Sequence, residues 1–204
     1  MVSGYPPGYM FDSLDGRDPM ATETITTSSP TSWDHLAGAH RRARPDEGAG
    51  TAVPPHRPQV AVLTCSDARV SPARLFDLPD GALFVVRVAG ASATVEAVAS
   101  LTYAVEHLGV GTVLVLGHTH CGAVTAAVEE VDDPALEPLV APIRRAMDSD
   151  CHDVACAVPT HVAATVSALI QDPGPLGVAL RDGRVVTHGA VVDIADGALA
   201  HLPI

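Results

Sequence analysis

Lysine does not occur in this 204-residue chain: all twelve basic residues are arginine, set against 24 Asp and Glu, for a net charge of −12. Affinity for a phosphate backbone needs a basic stripe, so nucleic acid is a poor candidate partner. Aromatics amount to 3%, which leaves Val, Ala and Leu to fill the core and favours helices packed closely on a sheet over an aromatic-rich sandwich. Cysteine is scarce as well, four in all, too few for a disulfide framework. The opening residues Met1-Val2-Ser3-Gly4-Tyr5 lack the charged and apolar regions of a signal peptide, and no later run reads as long and apolar enough to cross a bilayer. These absences lead to the expectation of a soluble, cytoplasmic protein with no membrane partner.

What is present is 47% hydrophobic and sufficient for one sizeable core. Residues 1–31, rich in Gly, Pro, Ser, Thr and Asp, are expected to lack packed structure of their own, or to drape over a partner. Residues 32–204 read as a single α/β domain. A short helix capped by Ser32 comes first, then a loop over 45–55. Strands follow at 60–64, 83–88 and 112–116, with helices at 71–76 (Ser71 as cap, Pro72 first), 92–108 (Gly109 closing it) and from Gly122 to about 131. Helical stretches over 134–149 and 160–170 lead to a short turn or helix at 176–180 and extended segments at 185–188, 190–194 and 198–202. No internal repeat appears. Strand, helix, strand, helix, strand predicts a mostly parallel sheet flanked by helices.

Two of the strands end alike. Val60-Ala61-Val62-Leu63-Thr64 runs into Cys65-Ser66-Asp67-Ala68-Arg69, and Val113-Leu114-Val115-Leu116-Gly117 into His118-Thr119-His120-Cys121-Gly122. In an open parallel sheet the crevice beyond the carboxyl ends of the strands receives ligands, so neighbouring strands would bring Cys65, His118 and Cys121 together. Two thiolates and one imidazole suit tetrahedral Zn²⁺ with a fourth position open. Asp67, two residues past a ligand, is placed either to accept a hydrogen bond at that position or to fill it, and Arg69 decides between these by pairing with the carboxylate.

On these residues the chain resembles the β-class carbonic anhydrases, whose pattern is C-x-D-x-R followed by H-x-x-C-G. The similarity runs from about residue 58 to 128 and continues more weakly to 185–199. The resemblance implies Zn²⁺ on Cys65, His118 and Cys121, with Asp67 as a fourth ligand in a closed form. It implies Asp67 and Arg69 as the catalytic pair, and attack of zinc-bound hydroxide on CO₂ to give bicarbonate. Thiolate ligands make the bound water less acidic than three imidazoles do, which implies activity rising toward alkaline pH. It further implies a homodimer or dimer of dimers, with Phe84, Tyr103 and Gly122 in the substrate pocket and part of that pocket donated across the dimer interface. Here His56 stands where many members have a glutamine, and Val88 and Ala91 replace the asparagines that usually follow Arg87. These departures leave two alternatives: a hydrolase of a CO₂ analogue such as carbonyl sulfide or carbon disulfide, and a non-catalytic zinc protein. Elsewhere, Cys151, His152 and Cys156 fit no strong zinc spacing, and a polar loop followed by a helix accounts for them, with a second metal or redox site as the alternative. His120 reads as a solvent-facing residue, with proton transfer as its alternative role. His107 and His161 read as helix-surface residues, and Arg41 and Arg42 as a solvated face.

Overall fold

The computed structural model describes residues 33–43 and 55–203. The expectations for residues 1–31, for Ser32 as a cap and for the loop before Pro55 lie outside them. The chain divides into two compact units, Met1–Val53 and Pro54–Ile204. The described part of the first is helix α1, Trp33–Ala43, on which Arg41 and Arg42 are exposed.

The second unit is built on a five-stranded sheet in the order β2-β1-β3-β4-β5. Strands β1 (Val60–Thr64), β2 (Leu83–Arg87), β3 (Thr112–His118) and β4 (Val186–Val192) are mutually parallel, and β5 (Leu199–Leu202) closes the edge antiparallel to β4. The central strands are apolar throughout because both of their faces are covered. Ala61, Leu63, Val113 and Val115 belong to the larger core, while Val62, Leu116, Ala190 and Val192 belong to a smaller one with Val70, Leu75 and Phe76.

The expected elements appear with shifted ends. Strand β3 continues through Gly117 to His118, so the histidine is itself a sheet residue, paired with Val192. The two segments expected around Gly189 are one continuous strand, since a parallel neighbour on one side and an antiparallel one on the other hold that glycine in register. Helix α2 (Pro72–Leu75) has Ser71 at its cap position, but no side-chain hydrogen bond forms there. Helix α3 (Val95–Leu108) is capped by Thr94 Oγ1, which accepts from Ala97 N at 3.3 Å, and ends at Gly109. Helices α4 (Gly122–Val128) and α5 (Glu137–Ala146) are shorter than the sequence suggested.

Helix α6 spans Val154–Gln171 and starts six residues before the expected Thr160. Asp153 caps it, accepting from Cys156 N at 2.8 Å, and the helix continues through Pro159. The longer helix corrects the reading that no run could cross a bilayer, because its 18 residues suffice by length and composition. They are spent on the core: Val158, Val162, Val166 and Leu169 are buried. Helix α7, Pro175–Arg181, follows. A second correction concerns Cys151 and Cys156, which are joined in a disulfide across the α5–α6 connection. They are neither a metal pair nor free thiols, and cysteine usage no longer supports a reducing compartment.

Candidate metal centre

The site lies where β1 and β3, neighbours in the sheet, end side by side. Thr64 pairs with Leu116, and its Oγ1 donates to the Leu116 carbonyl at 2.9 Å, locking the two ends together. Cys65 follows immediately on one strand, His118 ends the other, and Cys121 precedes α4. All three are buried, and their ligand atoms lie within 4.8 Å of one another. The two Sγ atoms are 3.9 Å apart. Two sulfurs each about 2.3 Å from one tetrahedral ion would stand about 3.8 Å apart, so the thiols are spaced for a metal. His118 Nδ1 donates to the Thr119 carbonyl at 2.8 Å, which leaves Nε2 unprotonated, buried and without a hydrogen-bond partner among the described residues. An orphaned buried nitrogen facing two thiols is the signature of a ligand atom whose orientation is fixed by the other side of its ring. Thr119 is held in turn: its amide donates to Val192 O at 3.0 Å and its hydroxyl to Asp193 Oδ1 at 3.2 Å.

The electrostatics fit a thiolate site. A hydrogen bond from Cys121 lowers the Cys65 pKa against the cost of burial, aided by His118 and by the Gly90 and Asp67 amides, each 3.4 Å from its sulfur. That same contact, with burial, pushes the Cys121 thiol up. Burial pulls the His118 pKa down, but the Cys65 sulfur, the Thr119 carbonyl and the Asp67 charge outweigh it.

Asp67 is outside the three-residue cluster and engaged elsewhere. Arg69 grips it bidentately, Nε to Oδ1 at 3.0 Å and Nη2 to Oδ2 at 2.7 Å, and the Arg69 amide adds a bond to Oδ1 at 2.9 Å. The guanidinium holds this carboxyl far below the usual range, so it is an anion. Oδ2 faces the site, 3.9 Å from His118 Nε2. The pairing of Arg69 with this carboxylate, expected from the sequence, is thus present.

The remaining predicted pocket residues are not all in this place. Gly122 opens α4 beside Cys121. Phe84 pairs with Ala61, four residues before Cys65, and therefore sits about 13 Å back along the sheet. His56 and Tyr103 join it there, with ring centroids 6.4 and 6.3 Å from Phe84, and Tyr103 is half exposed. Exposed His107 extends the row, 5.2 Å from Tyr103. His120 is exposed, as expected, and its carbonyl accepts from Arg69 Nη2 at 3.2 Å.

Two residues here escaped the sequence reading. Arg87, at the end of β2, donates to the carbonyls of Cys65, Asp67 and Val70, so it holds the whole C-x-D-x-R turn by its main chain. An arginine closing an otherwise apolar strand run was the available signal. His161 is not on a helix surface but 3% exposed, against the expectation. Burial pushes its pKa down to about 4, opposed by the Gly90 main chain.

A family model described as carbonic anhydrase matches residues 60–199. The chain belongs to the β-carbonic anhydrase family. Carbonic anhydrase 2 of Mycobacterium tuberculosis is 40% identical over 91 residues, 45% of this chain and 44% of that protein. The match thus spans less than half the length of that relative. The carbonic anhydrase of Pseudomonas aeruginosa is 33% identical over 165 residues, covering 70% of this chain and 72% of its own. The fold matches a tetrameric β-carbonic anhydrase of Sordaria macrospora with a TM-score of 0.66, at 22% identity over 74% of this chain and 83% of that one. The five-stranded sheet flanked by helices is therefore the β-carbonic anhydrase fold, and Cys65, His118 and Cys121 are its metal-binding cluster here.

Proposed function

We propose that this protein is a carbonate dehydratase: with Zn²⁺ held by Cys65, His118 and Cys121, it hydrates CO₂ reversibly to bicarbonate. The observation that carries this is the combination at one strand end of a three-donor cluster and an arginine-held carboxylate outside it. A structural zinc site is closed by four protein ligands, whereas a catalytic one keeps a position open. When bound, zinc supplies Lewis acidity that makes water a nucleophile near neutral pH.

The protein's own groups do the rest. Asp67, anionic and fixed by Arg69, accepts a hydrogen bond from the attacking water at Oδ2 and so aims its lone pair; it stays ionised because Arg69 occupies both of its oxygens. The Gly122 amide, at the exposed start of α4, is the group we assign to a substrate oxygen. His56, Phe84 and Tyr103 lie too far back along the sheet to line the site of their own chain. We assign them to the site of a second copy, so the working unit is a homodimer or dimer of dimers.

Stopped-flow CO₂ hydration by the zinc-loaded protein, run beside sulfide release from carbonyl sulfide, tests the reading. We expect CO₂ turnover that disappears on chelation and little sulfide. Sulfide release without CO₂ turnover would transfer the scaffold to the hydrolase reading, and neither reaction would leave a structural zinc protein.

A further inference from the structure

The turn between β2 and α3 holds an unfavourable shape. Gly90 has φ 75° and the next residue, Ala91, φ 59°. Left-handed backbone is open to glycine but disfavoured for alanine, so two such residues in succession persist only where the surroundings enforce them. A Cβ at Gly90 would fit only tightly, 3.0 Å from Ile143 Cδ1 and 3.3 Å from Ala123 Cβ. The turn matters because the Gly90 amide points at Cys65 Sγ, 3.4 Å away.

What enforces it from the far side is α6. Ser92, the residue after the turn and 1% exposed, has its Oγ 3.1 Å from His161 Nε2, and Thr165 Oγ1 lies 3.5 Å from the same nitrogen. His161 Nδ1 is buried with no hydrogen-bond partner among the described residues. A small cavity bounded by Gly90, His118, Cys121, Val158, His161 and Val162 joins this histidine to the metal cluster. One continuous path therefore runs from α6 to a ligand: His161, Ser92, the Ala89–Ala91 turn, the Gly90 amide and the Cys65 sulfur.

We propose that His161 is a positioning residue for the metal centre, holding Ser92 so that the turn keeps its left-handed form and the Gly90 amide stays on the Cys65 sulfur. An amide donated to a thiolate withdraws charge from it, and outer groups of this kind change metal affinity about ten- to a hundredfold. The inference rests on Cys65 as a metal thiolate and not on what the enzyme hydrates.

Cobalt(II) in place of zinc gives the readout, because the sulfur-to-cobalt charge-transfer band reports charge on the thiolate without substrate. Wild-type protein, His161→Leu and His161→Gln are compared. Leucine frees Ser92, and the band moves to longer wavelength while cobalt affinity falls about tenfold or more. Glutamine, able to offer an amide to Ser92 Oγ, brings the band back toward its wild-type position. Should His161→Leu fail to fold, Ser92→Ala breaks the same bond from the other end and is expected to shift the band alike. An unmoved band in a folded His161→Leu or Ser92→Ala protein overturns the proposal, as does His161→Gln matching leucine. Protein that ignores CO₂ yet shows the histidine-dependent band would refute the proposed reaction and leave this inference standing.

Discussion

Arg69 Nη2 reaches Asp67 Oδ2 at 2.7 Å and the His120 carbonyl at 3.2 Å, so one guanidinium ties the turn after β1 to the turn after β3. Lysine is a point charge that cannot span both carboxylate oxygens and the carbonyl. Arg69→Lys is expected to lower CO₂ hydration about tenfold, and Asp67→Asn about a hundredfold, the scale of a misoriented nucleophile. Metal analysis should show zinc retained in both, because neither residue is in the cluster. Full activity in Asp67→Asn would remove the carboxylate from the chemistry.

Gly117 of β3 lies flat against α6. A Cβ there would stand 2.5 Å from Val162 Cγ2 and 3.5 Å from Val158 Cγ1. Forcing a methyl group into a packed core costs about 1–3 kcal/mol. Gly117→Ala should therefore lower Tm by several degrees in calorimetry, and because His118 is the next residue it should weaken metal binding as well. An unchanged Tm would mean that α6 is free to move off the sheet.

The Cys151–Cys156 bridge closes a very short loop before α6. Loop-closure entropy for so few residues gives a stabilisation of about 2 kcal/mol. Cys151→Ser with Cys156→Ser should lower the urea midpoint accordingly and leave the zinc content unchanged, since the cluster uses the other two cysteines. Thiol titration of denatured, unreduced, metal-free protein should find two thiols rather than four.

The metal cluster was legible because its residues stand where apolar runs break, and neighbouring parallel strands place the residues just past their carboxyl ends in one crevice. The distance of Phe84 from the cluster was not, because which rows of the sheet stand level depends on register: Phe84 pairs with Ala61 rather than with a residue near Cys65. His161 was misread for two reasons. Pro159 concealed the true start of α6, which the Asp153 cap sets, and a helix whose exposed positions are mostly alanine has no charged face to which a histidine belongs. Its partner Ser92 lies 69 residues earlier, beyond any local pattern. The disulfide was hidden for a different reason, since two cysteines five residues apart indicate a bridge only when the compartment is known.

Burial keeps His161 neutral and gives its stability contribution a defined pH window. Unfolded, it takes up a proton near its ordinary 6.5; folded, only near about 4. Between these values the unfolded chain holds more protons. The contribution is therefore complete above about 6.5 and lost as pH falls toward 4, at up to about 1.4 kcal/mol per pH unit. Urea unfolding at about pH 7.5 and about pH 5 should show wild type losing more stability on acidification than His161→Gln, which has nothing to titrate there. Equal losses would mean that the histidine is already hydrated in the folded state.

The most direct test of the whole account is the initial rate of CO₂ hydration by metal-free protein titrated with zinc. Catalysis should rise in proportion to zinc and stop rising at one equivalent per chain, with Cys65→Ser showing no such rise. Protein that binds its equivalent of zinc and hydrates CO₂ no faster than buffer would contradict it.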